Sequence, residues 1–178
     1  MADILPEKWM KGVAITVTCL AVMTAIASAR GTACGAKTQL LTAIESSKWA
    51  YYQAKSIKQN LAETQKNAFE VEILGATNPE QQALYAEKLK VAAQEISRYD
   101  SEKNQIMKEA EDTAAMNKSL AGKGNFFSAA VVFFQIAIML ASVSALIKKK
   151  YLWFVGIIFG VIAAVLLGYG LFLKPLLF

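Results

Sequence analysis

Charged positions in this chain fall in one long central block, and apolar positions fall in three blocks around it. Gly12 to Ala29 is an uncharged run of 18 residues, Asn125 to Ile147 one of 23, and Tyr151 to Leu173 another of 23. A hydrocarbon core is crossed by ~20 helical residues, so each run predicts a transmembrane helix. Two adjacent runs of 23 residues without a charge are too long for helices buried in a water-soluble core.

The polar block predicts a long antiparallel helical hairpin inserted between the first and second spans. Its first arm repeats Leu40, Ala43, Ser47, Ala50, Ala54, Ile57, Leu61, Thr64, Ala68 and Val71 at alternating steps of three and four, the pattern of a coiled-coil seam. The second arm repeats Tyr85, Leu89, Ala92, Ile96, Tyr99, Lys103, Ile106, Ala110 and Thr113 in the same way, with Lys103 as the one misfit. Between them, Gly75-Ala-Thr-Asn-Pro79 reads as a turn: Gly75 for a left-handed helix end, Asn78 as the next N-cap, Pro79 at the first helical position. Gln81, three residues after Asn78, completes a capping box.

Glycine pairs mark the joints. Arg30-Gly-Thr-Ala-Cys-Gly-Ala36 and Ala121-Gly-Lys-Gly-Asn125 predict a break or kink where each arm meets its span, since glycine disfavours a helix interior. The division expected is therefore 1–35, a signal-anchor span; 36–120, the hairpin with its turn at 75–79; and 121–178, a pair of spans. Lys8, Lys11, the first apolar run and Ala27-Ser-Ala29 resemble a secretory signal, read here as retained.

Charge refines topology and excludes one partner class. The net charge is +5, but residues 30–124 hold 13 basic and 12 acidic side chains, and the remainder 6 and 2. The excess flanks the membrane runs and is no nucleic-acid footprint. The compact Lys148-Lys-Lys150 loop with Lys8 and Lys11 places the N-terminus and that loop in the cytoplasm, and the hairpin with Lys174-Pro-Leu-Leu-Phe178 outside.

Candidate chemistry is sparse. The chain has no histidine, the usual metal ligand and general base, and no phosphate loop or metal motif. Cys19 and Cys34 lie ~22 Å apart on a helix, so they cannot bridge. No cofactor and no enzymatic activity are expected.

The surfaces carry more. Trp49, Tyr51 and Tyr52 flank Ala50 and cannot all face the seam, and Lys48 and Lys55 stand four residues from Tyr52 and Tyr51, within cation–π reach. Trp49, Tyr51, Tyr52 and Lys55 are the expected oligomer interface. In the third run Gly156, Gly160, Ala164 and Gly168 form a small-residue ridge for helix packing, facing Ala137, Ala141 and Ala145. Gln135, the most polar side chain inside a run, is expected to hydrogen-bond a neighbouring helix.

Residues Trp49-Ala-Tyr-Tyr-Gln-Ala-Lys-Ser-Ile-Lys58, some 20 residues beyond an N-terminal span and followed by two C-terminal ones, resemble a bacterial family of small membrane proteins known only as a domain of unknown function, DUF4337. The resemblance spans most of the chain, and implies a multi-pass bacterial inner-membrane protein with no catalytic residues. The expected function is a non-enzymatic, homo-oligomeric structural or scaffolding role, with lipid, a second copy or an unidentified membrane protein as partners. An oligomeric channel is the alternative. Its polar candidates, Thr16, Thr18, Gln135, Ser142 and Ser144, form no continuous stripe.

Overall fold

The computed structural model describes residues 8–172 and is helical almost throughout. Three helices follow in order: α1 (Lys8–Gly75), α2 (Pro79–Ile147) and α3 (Lys150–Phe172). No strand occurs among the described residues. All three helices contain a stretch long and apolar enough to cross a membrane. The segment from Lys174 to Phe178 lies outside the described residues.

The glycine pairs do not break the helices. Gly31 and Gly35 lie within α1, Gly122 and Gly124 within α2, so neither pair makes the expected break. Two of them lie where α1 and α2 pack. A Cβ on Gly31 would stand 3.4 Å from the Cβ of Phe127, and one on Gly124 would stand 3.7 Å from the Cβ of Cys34. Both are ordinary van der Waals distances, so α1 and α2 are in contact there with room for a methyl group at either position.

The chain divides into two compact units, the described parts of Met1–Leu40 with Met116–Phe178, and Leu41–Ala115. The first unit is the apolar one, and its core is built of small residues and phenylalanines: Ala27, Phe127, Ala130, Phe134, Ala163 and Leu167. Along α2 the buried positions run Phe127, Ala130, Phe134, Ala137, Ala141 and Ser144, alternating three and four. On α3 they are Gly156, Gly160, Ala163, Leu167 and Gly170, again alternating. Phe126 packs on Tyr169 and Phe133 on Phe159 at ring separations of 5.4 and 5.9 Å, so α2 and α3 run antiparallel. Trp153 of α3 lies 3.3 Å from where a Gly12 Cβ would be, and its Nε1 donates to Thr16 Oγ1 at 3.4 Å, tying α3 to α1.

The connection from α2 to α3 is closed by Lys148, whose φ of 56° is the one positive value at a non-glycine among the described residues. Lys149 N donates to Ser144 O at 3.2 Å. That bond spans five residues around a left-handed one, the Schellman arrangement in which glycine is the usual occupant.

In the second unit, the remainder of α1 and the start of α2 pack side by side and antiparallel. Lys48 meets Glu109, Lys55 meets Glu102 and Phe69 meets Tyr85. Their connection spans residues 76–78, and Gly75 is not left-handed. The turn is held instead by side chains. Asn78 Oδ1 accepts from Glu80 N at 3.0 Å, an N-cap as its sequence predicts, while Gln82 rather than Gln81 reaches back, donating to Ala76 O at 2.9 Å.

Candidate functional site

The α2 side of the second unit keeps the seam its sequence predicts: Ala92, Ile106 and Ala110 are buried, and Tyr85, Leu89, Ile96, Tyr99, Lys103 and Thr113 are half-buried. The α1 side does not. Ile57, Leu61 and Val71, members of the predicted stripe, are 68%, 58% and 69% exposed, and Ala43, Ser47, Ala50, Ala54, Thr64 and Ala68 are exposed as well. The face of α1 turned to α2 carries Lys48, Tyr52, Lys55, Gln59, Ala62, Lys66, Phe69 and Ile73 instead. It has the same alternation of three and four, in a different phase.

The reason lies in what α2 offers. Its seam includes rings and its flank includes carboxylates, and lysine stems can cover apolar surface while their ammonium groups find partners. Lys55 pairs with Glu102 at 2.5 Å and stands 5.3 and 5.5 Å from the ring centroids of Tyr51 and Tyr99. Lys48 pairs with Glu109 at 3.5 Å, and also donates to the Glu109 carbonyl at 3.1 Å and to Thr113 Oγ1 at 3.2 Å. Lys103, the expected misfit, donates to Gln59 Oε1 at 2.8 Å and lies over the Tyr52 ring at 5.4 Å. Lys88 lies over Phe69 at 5.6 Å, where Phe69 and Tyr85 stack.

Lys48, Tyr51, Lys55, Glu102, Gln105, Ile106 and Glu109 line an open cleft of about 280 Å³. Its charges are mutually paired. The hydrogen bond from Lys55 is the main reason that the Glu102 carboxyl is held below its ordinary value, against the opposing effect of burial. The Lys55 ammonium is held above its ordinary value, first by the hydrogen bond to Glu102. Both shifts consolidate the charged forms, whereas proton transfer near neutrality needs groups moved toward the working pH. Among the described residues no group of three His, Cys, Asp or Glu could hold a metal ion.

The expected interface residues separate. Tyr52 is half-buried on the α2-facing side, and the Lys55 side chain is only 15% exposed in the seam. Trp49 and Tyr51 are 37% and 54% exposed, although the Trp49 ring still meets Tyr52 edge-on at 5.7 Å. Glu102, Glu109 and Lys48 were not among the expected site residues. One signal could have found them: Lys48 lies seven residues before Lys55, and Glu109 seven after Glu102, the spacing that antiparallel pairing requires.

The residues of the expected α3 ridge fall in two settings. Gly156 and Gly160 are buried, and a Cβ there would lie 3.0 Å from the Ala137 carbonyl oxygen and 2.9 Å from Leu20 Cδ2 respectively. Ala164 is exposed, and a Cβ on Gly168 would meet open space. Contact continues through Ala163, Leu167 and Gly170, where a Cβ would lie 2.9 Å from the Phe127 ring. A strict step of four drifts around a helix by about 40° per turn, so alternating steps follow a partner better. Gln135 is exposed and hydrogen-bonds to none of the described residues.

These features define an all-helical protein with three apolar helical stretches in one unit and a charge-laced antiparallel helix pair in the other. The chain belongs to the family described as Domain of unknown function (DUF4337), whose model matches residues 9–173. No curated protein and no solved structure matches it.

Proposed function

We propose that this chain is a non-enzymatic, homo-oligomeric protein of the bacterial inner membrane with a structural or scaffolding role. Its three apolar stretches span the bilayer, and its charged helix pair is a hairpin standing outside it. The membrane part of the reading is supported by the outward faces of the apolar unit. Ile15, Val22, Ile26, Val132, Met139, Phe154, Ile158, Val161 and Val165 are all exposed there, a coat suited to lipid and costly in water.

The observation that carries the oligomeric part is the exposed stripe on α1, from Ala43 to Val71 at heptad spacing, opposite the seam. It suits another copy of itself. Positions on one flank, Ser46, Gln53, Asn60 and Asn67, bear no charge, and the other flank bears only Lys58 and Glu72, so parallel copies would set no like charges together. The outward face of α2 carries Glu87, Arg98, Lys108 and Asp112 and suits solvent. A pore finds less support, because Thr16, Thr18 and Ser142 each donate to the carbonyl four residues back on their own helix.

The mass of the detergent-extracted complex tests this reading: a multiple of the 19.4 kDa chain is expected, and a monomer would overturn it. Orientation is tested with a single cysteine. The N-terminus and the Lys148 loop are assigned to the cytoplasm and the hairpin to the periplasm. Cys34 is partly buried against the apolar core, so the probe position is Gln94→Cys, on the exposed face of α2, with Cys19 and Cys34 replaced by serine. An impermeant maleimide should label it in intact spheroplasts. Labelling only after lysis reverses the orientation.

A further inference from the structure

Gln135 lies near the middle of the uncharged run from Asn125 to Ile147, on the outward face of α2 beside Val132 and Met139, which are 53% and 65% exposed. Its amide has two donors and a carbonyl acceptor, and among the described residues it makes no hydrogen bond. In water such an exposed glutamine would need no comment. In the bilayer, where the proposed function places it, there is no water to satisfy it, and polar groups at that depth face protein or a wet cavity.

The side chain has no route out. Ten residues separate it from Asn125 and twelve from Ile147, about 15 and 18 Å of helix, far more than a glutamine can span to reach the headgroups. A partner must come to it. We infer that Gln135 is the centre of a transmembrane contact between copies of this chain, in which the amide of each copy donates to the carbonyl of the other.

Three observations fit a second copy as the occupant. A primary amide is its own hydrogen-bonding complement, so two copies related by a two-fold axis satisfy each other with two bonds and add no other chemistry. Ser128 and Ser142 lie seven residues to either side and are also exposed, which sets the three polar side chains on one line of a left-handed helix pair. Both serines are small, and small residues on such a line let membrane helices approach closely. The line lies away from the contacts with α1 and α3, which use Phe127, Ala130, Phe134 and Ala137.

This inference rests on the membrane-embedded oligomer proposed above, and the test separates the two. The full chain, with Cys19 and Cys34 replaced by serine, is compared with Gln135→Leu, Gln135→Asn and Gln135→Cys. Masses in mild detergent, association in liposomes and helicity are measured for each. Expected are an at least tenfold weaker association for Gln135→Leu with unchanged helicity, partial retention for Gln135→Asn, which keeps the amide, and a disulfide-linked dimer on oxidation of Gln135→Cys in membranes but not of Phe154→Cys on α3.

An oligomer of unchanged strength in Gln135→Leu, with no disulfide through Gln135→Cys, overturns the inference and leaves the proposed function standing. So does loss of a different, stoichiometric protein from the complex on Gln135→Leu. A monomeric parent chain overturns both. If Ile57→Cys on the exposed stripe of α1 cross-links while Gln135→Cys does not, the copies meet only through the polar unit, and the membrane contact is wrong.

Discussion

Lys55 of α1 and Glu102 of α2 form the most enclosed ion pair among the described residues, Nζ to Oε2 2.5 Å, with side chains 15% and 35% exposed. Each holds the other charged, through a hydrogen bond that outweighs the burial acting against it. The folded-state shifts fix the direction of the pH response. A lowered carboxyl contributes stability that is complete above the ordinary value of 4.5 and is lost as pH falls through the folded value. A raised lysine contributes stability present below 10.5 and lost as pH rises through its folded value. The melting temperature of Glu102→Gln should therefore lie below that of the parent at neutral pH, and the gap should close as pH falls below the carboxylate range. Thermal melts from acid to neutral pH check this. A gap that persists in acid would assign the loss to packing.

The left-handed Lys148 predicts a stabilising substitution. A side chain in that conformation costs roughly 1 kcal/mol, which glycine avoids. Lys148→Gly should raise stability by about that amount, less the greater freedom it gives the unfolded chain, and Lys148→Val should lower it. Thermal denaturation of the purified protein in detergent gives the order.

The four glycines of α3 should respond differently to one added methyl. At Gly156 the new group meets the backbone at Ala137, and at Gly170 the Phe127 ring, so Gly156→Ala and Gly170→Ala should each cost about 1–3 kcal/mol by overpacking. At Gly168 it meets nothing, and Gly168→Ala should be neutral or stabilising by about 0.5 kcal/mol. At Gly160 the one close contact of an alanine is the end of Leu20, which can turn away, with Ala137 Cβ at an ordinary 3.9 Å. Gly160→Leu should still destabilise, because a leucine there is too large to fit beside it. Melting temperatures of the series test the ranking.

Ala92 is 4% exposed and Ala62 3%. They lie one heptad from the stacked Phe69 and Tyr85 and so share a level of the helix pair. Ala92→Leu should force the pair apart there, lowering stability by about 1–3 kcal/mol, while Gln94→Leu on the exposed face should change it little. Chemical denaturation followed by helicity distinguishes them.

How much of this was legible in the sequence depends on what each signal measured. Runs without charge marked the three apolar stretches, and the α2 seam was readable because Leu89, Ile96 and Ile106 are both apolar and inward. On α1 two stripes alternate in the same way, and apolarity picks the wrong one. The inward stripe contains Lys48 and Lys55, whose ion-pair partners Glu109 and Glu102 lie some 40 residues or more away, which no local pattern displays. The aromatic group was likewise divided by phase, with Tyr52 half-buried in the seam and Tyr51 exposed at its edge, lining the cleft. Glycine propensity predicts a break at Gly31 and Gly124, whereas α1 and α2 run on through them, packed against each other.

The ladder of paired lysines and glutamates sets a rule for how the helix pair can vary in length. Lys48 with Glu109 and Lys55 with Glu102 sit on successive levels, seven residues apart on each helix. Removing seven residues from one helix alone would shift every lysine beyond the cut by a full level and strand the last against nothing. Removing seven from both, at facing positions, would leave each surviving pair intact. Shorter and taller versions of this pair should therefore come in whole steps of about 10.5 Å, the rise of seven helical residues, with both helices trimmed or extended together.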